Sequence, residues 1–219
     1  TVVGFGTSMP ELLVSAQSAL VGNSGIAIGN VVGSNIANIA LILGVTAAIR
    51  VCSTSRQTLA VDTPFMIVSS IAFVVIAMSG TIGRIAGVVG VLSLVSFICW
   101  QIVNSRKQNS SADEVAEAPM PLWKSLLLVA VSIAALSYGA DWLIAGARGI
   151  ALQMGVSERI IGLTVIAVGT SLPELFASIM AARKGETDMA IGNVIGSITF
   201  NILSVIGISA IICPIVGTN

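Results

Sequence analysis

Apolar residues run along this chain in stretches of about twenty, interrupted by short polar or glycine-rich breaks, and the polar residues inside those stretches are few. Spanning a bilayer core takes about 20 residues at 1.5 Å each. That length predicts membrane helices over residues 1–20, 26–49, 61–79, 82–103, 122–147, 160–183 and 188–212. One connection is long: residues 104–121 are polar, close on Pro119 and Pro121, and read as a cytoplasmic linker between a first half, 1–103, and a second half, 122–219. Its acidic residues Asp113, Glu114 and Glu117 are expected to be a solvated face. The fold expected is an all-α polytopic membrane protein.

Composition agrees. Only 20 of the 219 residues are charged, and the mean hydropathy is +1.01. The ten basic and ten acidic residues cancel, so no basic field points to nucleic acid. There is no histidine. Without it, Cys52, Cys99 and Cys213 make neither a zinc site nor a nucleophile pair, and intramembrane enzyme chemistry lacks its usual groups. No initiating Met precedes Thr1 and the last helix stops at Pro214, so a piece of a longer protein, lacking membrane segments at one or both ends, is expected.

If successive connections alternate sides, one side receives Arg50, Arg56, Arg106, Lys107, Lys124, Arg183 and Lys184, and the other Arg84, Arg148 and Arg159. The first is then the cytoplasmic side.

The strongest signal is internal. Shifting the sequence by 163 residues aligns 1–45 with 164–208 without a gap, and nearly half of the positions are identical. Gly6-Thr7-Ser8-Met9-Pro10-Glu11-Leu12 returns as Gly169-Thr170-Ser171-Leu172-Pro173-Glu174-Leu175. Gly29-Asn30-Val31-Val32-Gly33-Ser34 returns as Gly192-Asn193-Val194-Ile195-Gly196-Ser197, and Asn38 as Asn201. The 160–183 helix is the fifth after the 1–20 helix, so the copies cross the membrane in opposite directions. Such inverted-topology repeats carry a site near the midplane where they meet.

The chemistry within the repeats suits a dehydrated cation. Glu11 and Glu174 lie in apolar segments where an unpaired carboxylate is costly and functional by default. Pro10 and Pro173 remove a helical hydrogen bond and kink their helices, leaving carbonyls in need of partners. Thr7, Ser8, Thr170 and Ser171 stand beside them. Ser34 and Asn38, four apart, share a helix face, as do Ser197 and Asn201. Such a set can reach the six to eight oxygens that suit Ca²⁺, and smaller sets suit Na⁺. Exchange follows if ions compete for the same charges, because an empty doubly charged site crosses poorly. A cation channel is the competing reading, and a gated midplane site between kinked helices favours exchange over it.

Gly-Thr-Ser-x-Pro-Glu followed by Gly-Asn-x-x-Gly-Ser-x-x-x-Asn, present twice, resembles the alpha repeats of the sodium/calcium exchanger family, the Ca²⁺/cation antiporters. The resemblance implies a ten-helix fold of which this chain holds the second to eighth segments, in a multi-pass protein of the bacterial inner (cell) membrane. It implies exchange of about three Na⁺ for one Ca²⁺, with no cofactor and with only the lipid bilayer and inorganic cations as partners. Carried over by position, Glu11 and Glu174 match the family's acidic ligands. Thr7, Ser8, Thr170 and Ser171 match neighbouring hydroxyl or carbonyl ligands, and Ser34, Asn38, Ser197 and Asn201 the flanking ones. The carbonyls of Gly4 and Ala167 match positions that help form sodium sites. Two departures stand out: Asn201 is neutral where several branches carry Asp, and Ile198 stands where the first repeat has Asn35. Both leave Ca²⁺/H⁺ exchange or a K⁺-dependent exchanger open.

Elsewhere the expectations are plainer. Asp62 before Pro64 reads as a helix N-cap, Asp141 as an interfacial cap or a partner of Arg148 ahead of a place in the ion path, Arg148, Arg159, Arg183 and Lys184 as helix ends, and Glu186 and Asp188 as acidic residues at a helix start.

Overall fold

A computed structural model describes residues 2–22, 24–109, 121–155 and 167–216. The linker's Asp113, Glu114 and Glu117, together with Arg159, lie outside the described residues.

The described residues are helical almost throughout. Helix α1 (Val2–Thr7) and α2 (Met9–Leu20) form the first predicted segment, broken at Ser8. Helix α3 (Ser24–Ala37) runs through a π-helical turn, Asn38–Leu43, into α4 (Gly44–Ile49). A second π turn, Thr58–Asp62, opens α5 (Thr63–Met78). Helices α6 (Arg84–Asn109) and α7 (Leu122–Gln153) follow. Helix α8 (Ala167–Thr170) and α9 (Leu172–Lys184) break at Ser171, and α10 (Thr187–Phe200) passes through a π turn, Asn201–Val205, into α11 (Ile206–Ile212). Strands β1 (Thr81–Ile82) and β2 (Ile215–Val216) pair antiparallel.

Among the described residues, five continuous helical stretches are long and apolar enough to cross a membrane: Gly25–Ile49, Thr58–Met78, Arg84–Asn104, Trp123–Gln153 and Thr187–Ile212. The other two predicted segments are the broken ones. The Thr187–Ile212 stretch is the centre of the bundle, with 67% of its most apolar window buried against 6% for Thr58–Met78. Burial runs opposite to a water-soluble fold. The inside holds Thr7, Ser15, Ser34, Thr46, Ser178, Ser197 and Ser209, whereas Val68, Ile71, Val75, Leu126 and Val131 are exposed. Lipid tails solvate leucine as well as a protein core does, so helices gain by burying small and polar residues against one another. The glycines at the α6–α11 crossing show the same economy of space: a Cβ on Gly87 would stand 2.5 Å from the Gly207 carbonyl. Two apolar clusters complete the interior, one around Val31, Val205, Ile206 and Ile215 and one around Ile42, Val194, Ile198 and Ile202.

The two halves are stapled at one end. Asp188 accepts from Ser55 N at 2.7 Å, Thr54 Oγ1 at 2.9 Å and Thr58 Oγ1 at 3.1 Å. Thr187 Oγ1 donates to Ser53 O at 2.9 Å. A Cβ on Gly185 would lie 3.3 Å from Arg50 Nη1. The connection after Ile49 and the α9–α10 turn therefore share one end, as the alternation of sides requires. Asp188 thus does more than suit a helix dipole, since it holds a neighbouring connection.

Three expectations need correction. Asp62 is no cap: the helix continues through it from the π turn with no side-chain capping bond, and its carboxylate accepts from Gln101 Nε2 at 2.6 Å. Asp141 is exposed and lies well inside α7, which continues to Gln153, so it caps nothing. Arg148 is likewise interior to that helix and marks no end.

Candidate functional site

The two breaks are equivalent. Ser8 (φ −84°, ψ 10°) and Ser171 (φ −86°, ψ 4°) fall outside helical geometry immediately before α2 and α9, and each new helix carries its proline in the first turn. Proline has no N–H to offer the preceding turn, and at the start of a helix that donor is not needed. The next residue is the glutamate. Glu11 and Glu174 are 1% and 0% exposed and are the only charged side chains buried among the described residues.

Each carboxylate is held by the opposite repeat. Ser8 Oγ donates to Glu174 Oε1 at 2.7 Å, and Ser171 Oγ donates to Glu11 Oε1 at 3.3 Å. Ser197 Oγ lies between Glu174 Oε1 at 3.5 Å and the Gly4 carbonyl at 3.1 Å. Thr7 Oγ1 donates to the same carbonyl at 3.3 Å. Thr170 Oγ1 donates to Asn30 Oδ1 at 3.5 Å. The predicted residues thus fall into two buried networks, each crossing between the repeats: Gly4, Thr7, Ser8 and Ser197 gather around Glu174, and Ser171, with Thr170 through Asn30, around Glu11. Ala167 opens α8, the short turn before the second break, at the position that matches Gly4.

Asn38 and Asn201 each begin a π turn, and both are buried. A π turn inserts one residue into the helical register and is frequent at functional sites. Asn201 Nδ2 donates to Asn35 Oδ1 at 3.1 Å. Ser34, fully buried, lies one turn before Asn38 on α3.

Sequence reasoning missed Ser15 and Ser178, the partners of Asn30 and Asn193. Asn30 Nδ2 donates to the Glu11 carbonyl at 3.2 Å and to Ser15 Oγ at 3.0 Å. Asn193 repeats this with the Glu174 carbonyl at 3.3 Å and Ser178 Oγ at 3.0 Å. Ser15 and Ser178 therefore help clamp each glutamate-bearing helix to its neighbour. The signal was present, since both serines are identical at the 163-residue offset.

What the hydrogen bonds leave over in the paired motifs is oxygen apart from one nitrogen, Asn38 Nδ2. Glu11 Oε2, Glu174 Oε2, Ser34 Oγ, Asn38 Oδ1 and Asn201 Oδ1 are buried without a hydrogen-bond partner. A buried polar atom without a partner costs about 1–3 kcal/mol, and more when charged. These five oxygens, with Asn193 Oδ1 a sixth in the paired motifs, have the chemistry of donors to a hard cation. Among the described residues no group of three or more His, Cys, Asp or Glu could hold a metal. The donor set is two carboxylates completed by amides and hydroxyls, which disfavours transition metals.

The family model described as "Sodium/calcium exchanger protein" matches residues 1–104 and 124–219, passing over most of the polar linker. The chain is 37% identical to the "Putative antiporter CaxA" of Alkalimonas amylolytica over 98% of its own length and 69% of that protein's. It is 34% identical to the "Inner membrane protein YrbG" of Escherichia coli K12, over 98% of this chain and 68% of that one. Its fold superposes on the sodium-calcium exchanger NCX_Mj, soaked with Na⁺ and Sr²⁺, with a TM-score of 0.84 and 32% identity, covering all of this chain and 71% of the other.

Proposed function

The chain belongs to the sodium/calcium exchanger family, and from that premise we propose that Glu11 and Glu174 are the shared charges over which Ca²⁺ and Na⁺ compete in antiport by alternating access. The protein is a multi-pass inner-membrane exchanger, and its substrates are inorganic cations.

The observation that carries the site is the division of labour within each carboxylate. One oxygen is fixed by a serine of the opposite repeat and the other has no partner. A carboxylate fixed at one oxygen keeps its direction while the second remains open to an ion. Two such groups neutralise one Ca²⁺, or share Na⁺ ions in its place. Asn38 and Asn201 supply amide oxygens and Ser34 and Ser197 hydroxyls. Thr7, Ser8, Thr170 and Ser171 bracket the carboxylates, and the carbonyls of Gly4 and Ala167 complete the set at the breaks.

Coupling follows from charge. An empty site would carry two negative charges through a low-dielectric path as the repeats rock, which is expensive. A neutralised site reorients freely. Since only filled forms cross, inward Ca²⁺ movement returns with outward Na⁺.

The test is radiocalcium uptake by the full-length protein in proteoliposomes loaded with Na⁺, K⁺ or acid in separate arms. Uptake should require internal Na⁺ and be lost in Glu11→Gln and Glu174→Gln. Undiminished Na⁺-driven uptake in both variants would remove these residues from the site. Uptake that ignores every counter-ion would make the protein a channel.

A further inference from the structure

Between the flanking Ser34 and Asn38 the first copy of the repeat carries Asn35, where the second copy has Ile198 between Ser197 and Asn201. Asn35 has an occupation. Its Oδ1 accepts from Asn201 Nδ2 at 3.1 Å, across the boundary between repeats. That bond uses the nitrogen end of the Asn201 amide and leaves its Oδ1 buried with no donor. The mirrored place offers Asn38 nothing comparable. Ile198 is 3% exposed and packs among Ile42, Val194 and Ile202, and Asn38 has no partner for either Nδ2 or Oδ1 although it is 1% exposed.

A carboxamide has two unlike ends on one plane, an oxygen that coordinates a hard cation and an NH₂ that repels it. A half-turn about its last torsion exchanges them. With its own oxygen turned to Asn201, Asn35 takes the NH₂ end and leaves the Asn201 oxygen facing the other way, whereas an apolar neighbour selects neither end. We infer that Asn35 is a positioning residue that fixes Asn201 with its oxygen presented to the cation, while Asn38 remains free to turn. The two amide ligands then differ in preparation: one is set before the ion arrives, and the other is set by the ion. Ordering a group in advance lowers the cost of binding. This inference rests on the cation-site reading given above and assigns a role within that site to a residue that is not itself a ligand.

The chemistry suggests a cycle. Asn35→Leu removes the acceptor at similar volume, and Asn201→Asp replaces the two-ended amide with a group that presents oxygen whichever way it turns. In full-length protein in proteoliposomes, Asn35→Leu should raise the KM for Ca²⁺ about ten-fold, the effect of one misdirected ligand, with a smaller change in maximal rate. In the Asn201→Asp background the same substitution should leave KM within about two-fold of the Asn201→Asp parent, because orientation no longer matters there. Asn35→Asp, which keeps the acceptor, should show no rise in KM and stands in should the leucine variant fail to fold. An Asn35→Leu effect of equal size in both backgrounds, or a loss of affinity in Asn35→Asp as large as in the leucine variant, would make Asn35 a packing residue and overturn the inference. Glu174→Gln is run alongside. If it transports normally, the site reading itself has failed; if it is inactive while Asn35→Leu keeps the parental KM, only the role of Asn35 falls.

Discussion

Gly4→Ala is the smallest change that should disturb the site through backbone alone. A Cβ at this position would stand 2.8 Å from the Asn193 carbonyl, 3.1 Å from Ser197 N and 3.3 Å from Ser197 Oγ. Two of the three obstacles are backbone, on the central helix, and cannot rotate away. Relief requires α1 and α10 to part by several tenths of an ångström. Over-packing of this kind costs about 1–3 kcal/mol. The same movement stretches the Ser197 Oγ bond to the Gly4 carbonyl, now 3.1 Å, which adds about 1 kcal/mol. The expected loss of stability is about 2–4 kcal/mol, read as a lower melting temperature in detergent by intrinsic fluorescence. Because the Gly4 carbonyl and Ser197 both belong to the proposed ligand set, Ca²⁺ affinity should fall on the order of ten-fold in vesicle uptake. Gly6→Ala is the control, since its Cβ meets no backbone and only the side chain of Ile133, which can change rotamer. A Gly4→Ala protein with parental melting and parental KM would show that the approach of α1 to α10 is not needed for either.

Asn193→Ala removes the amide that ties the Glu174 carbonyl to Ser178, and should cost about 1–3 kcal/mol of thermal stability while lowering transport through a displaced glutamate; parental values in both measurements would contradict the clamp. Gly87→Ala puts a methyl against the Gly207 carbonyl at the α6–α11 crossing, away from the ligand set. It should lower melting by about 1–3 kcal/mol equivalent with Ca²⁺ KM unchanged, and a raised KM with normal melting would refute that separation.

Much of the site was readable because duplication repeats the chemistry along with the fold. Glutamate after proline in an apolar stretch is expensive once and improbable twice, and the common offset joined the two. The kinks followed from proline's missing donor, and the breaks at Ser8 and Ser171 bear this out. The π turns at Asn38 and Asn201 were not legible, because the one-residue shift of face that a π turn produces leaves little trace in stretches that are apolar on nearly every side. Asp62 misled because aspartate shortly before proline is a common helix start. Gln101, on a helix nearly forty residues away, gives it a partner that local sequence cannot announce. The length of α7 was underestimated for a related reason: Asp141 looked like an interface, yet a single exposed charge is compatible with the middle of a long helix.

The crossed serines also bear on descent. Ser8 serves Glu174 and Ser171 serves Glu11, so one repeat folded by itself would hold its carboxylate without the hydroxyl that directs it. Before the two copies were fused, such a half could have formed this arrangement only by meeting another of its kind inserted upside down in the same bilayer. A short ancestral protein able to insert both ways round, pairing with its own inverted twin, would satisfy every cross-repeat bond described here. Holding the two orientations in one chain lets equivalent positions differ, as Asn35 and Ile198 do here.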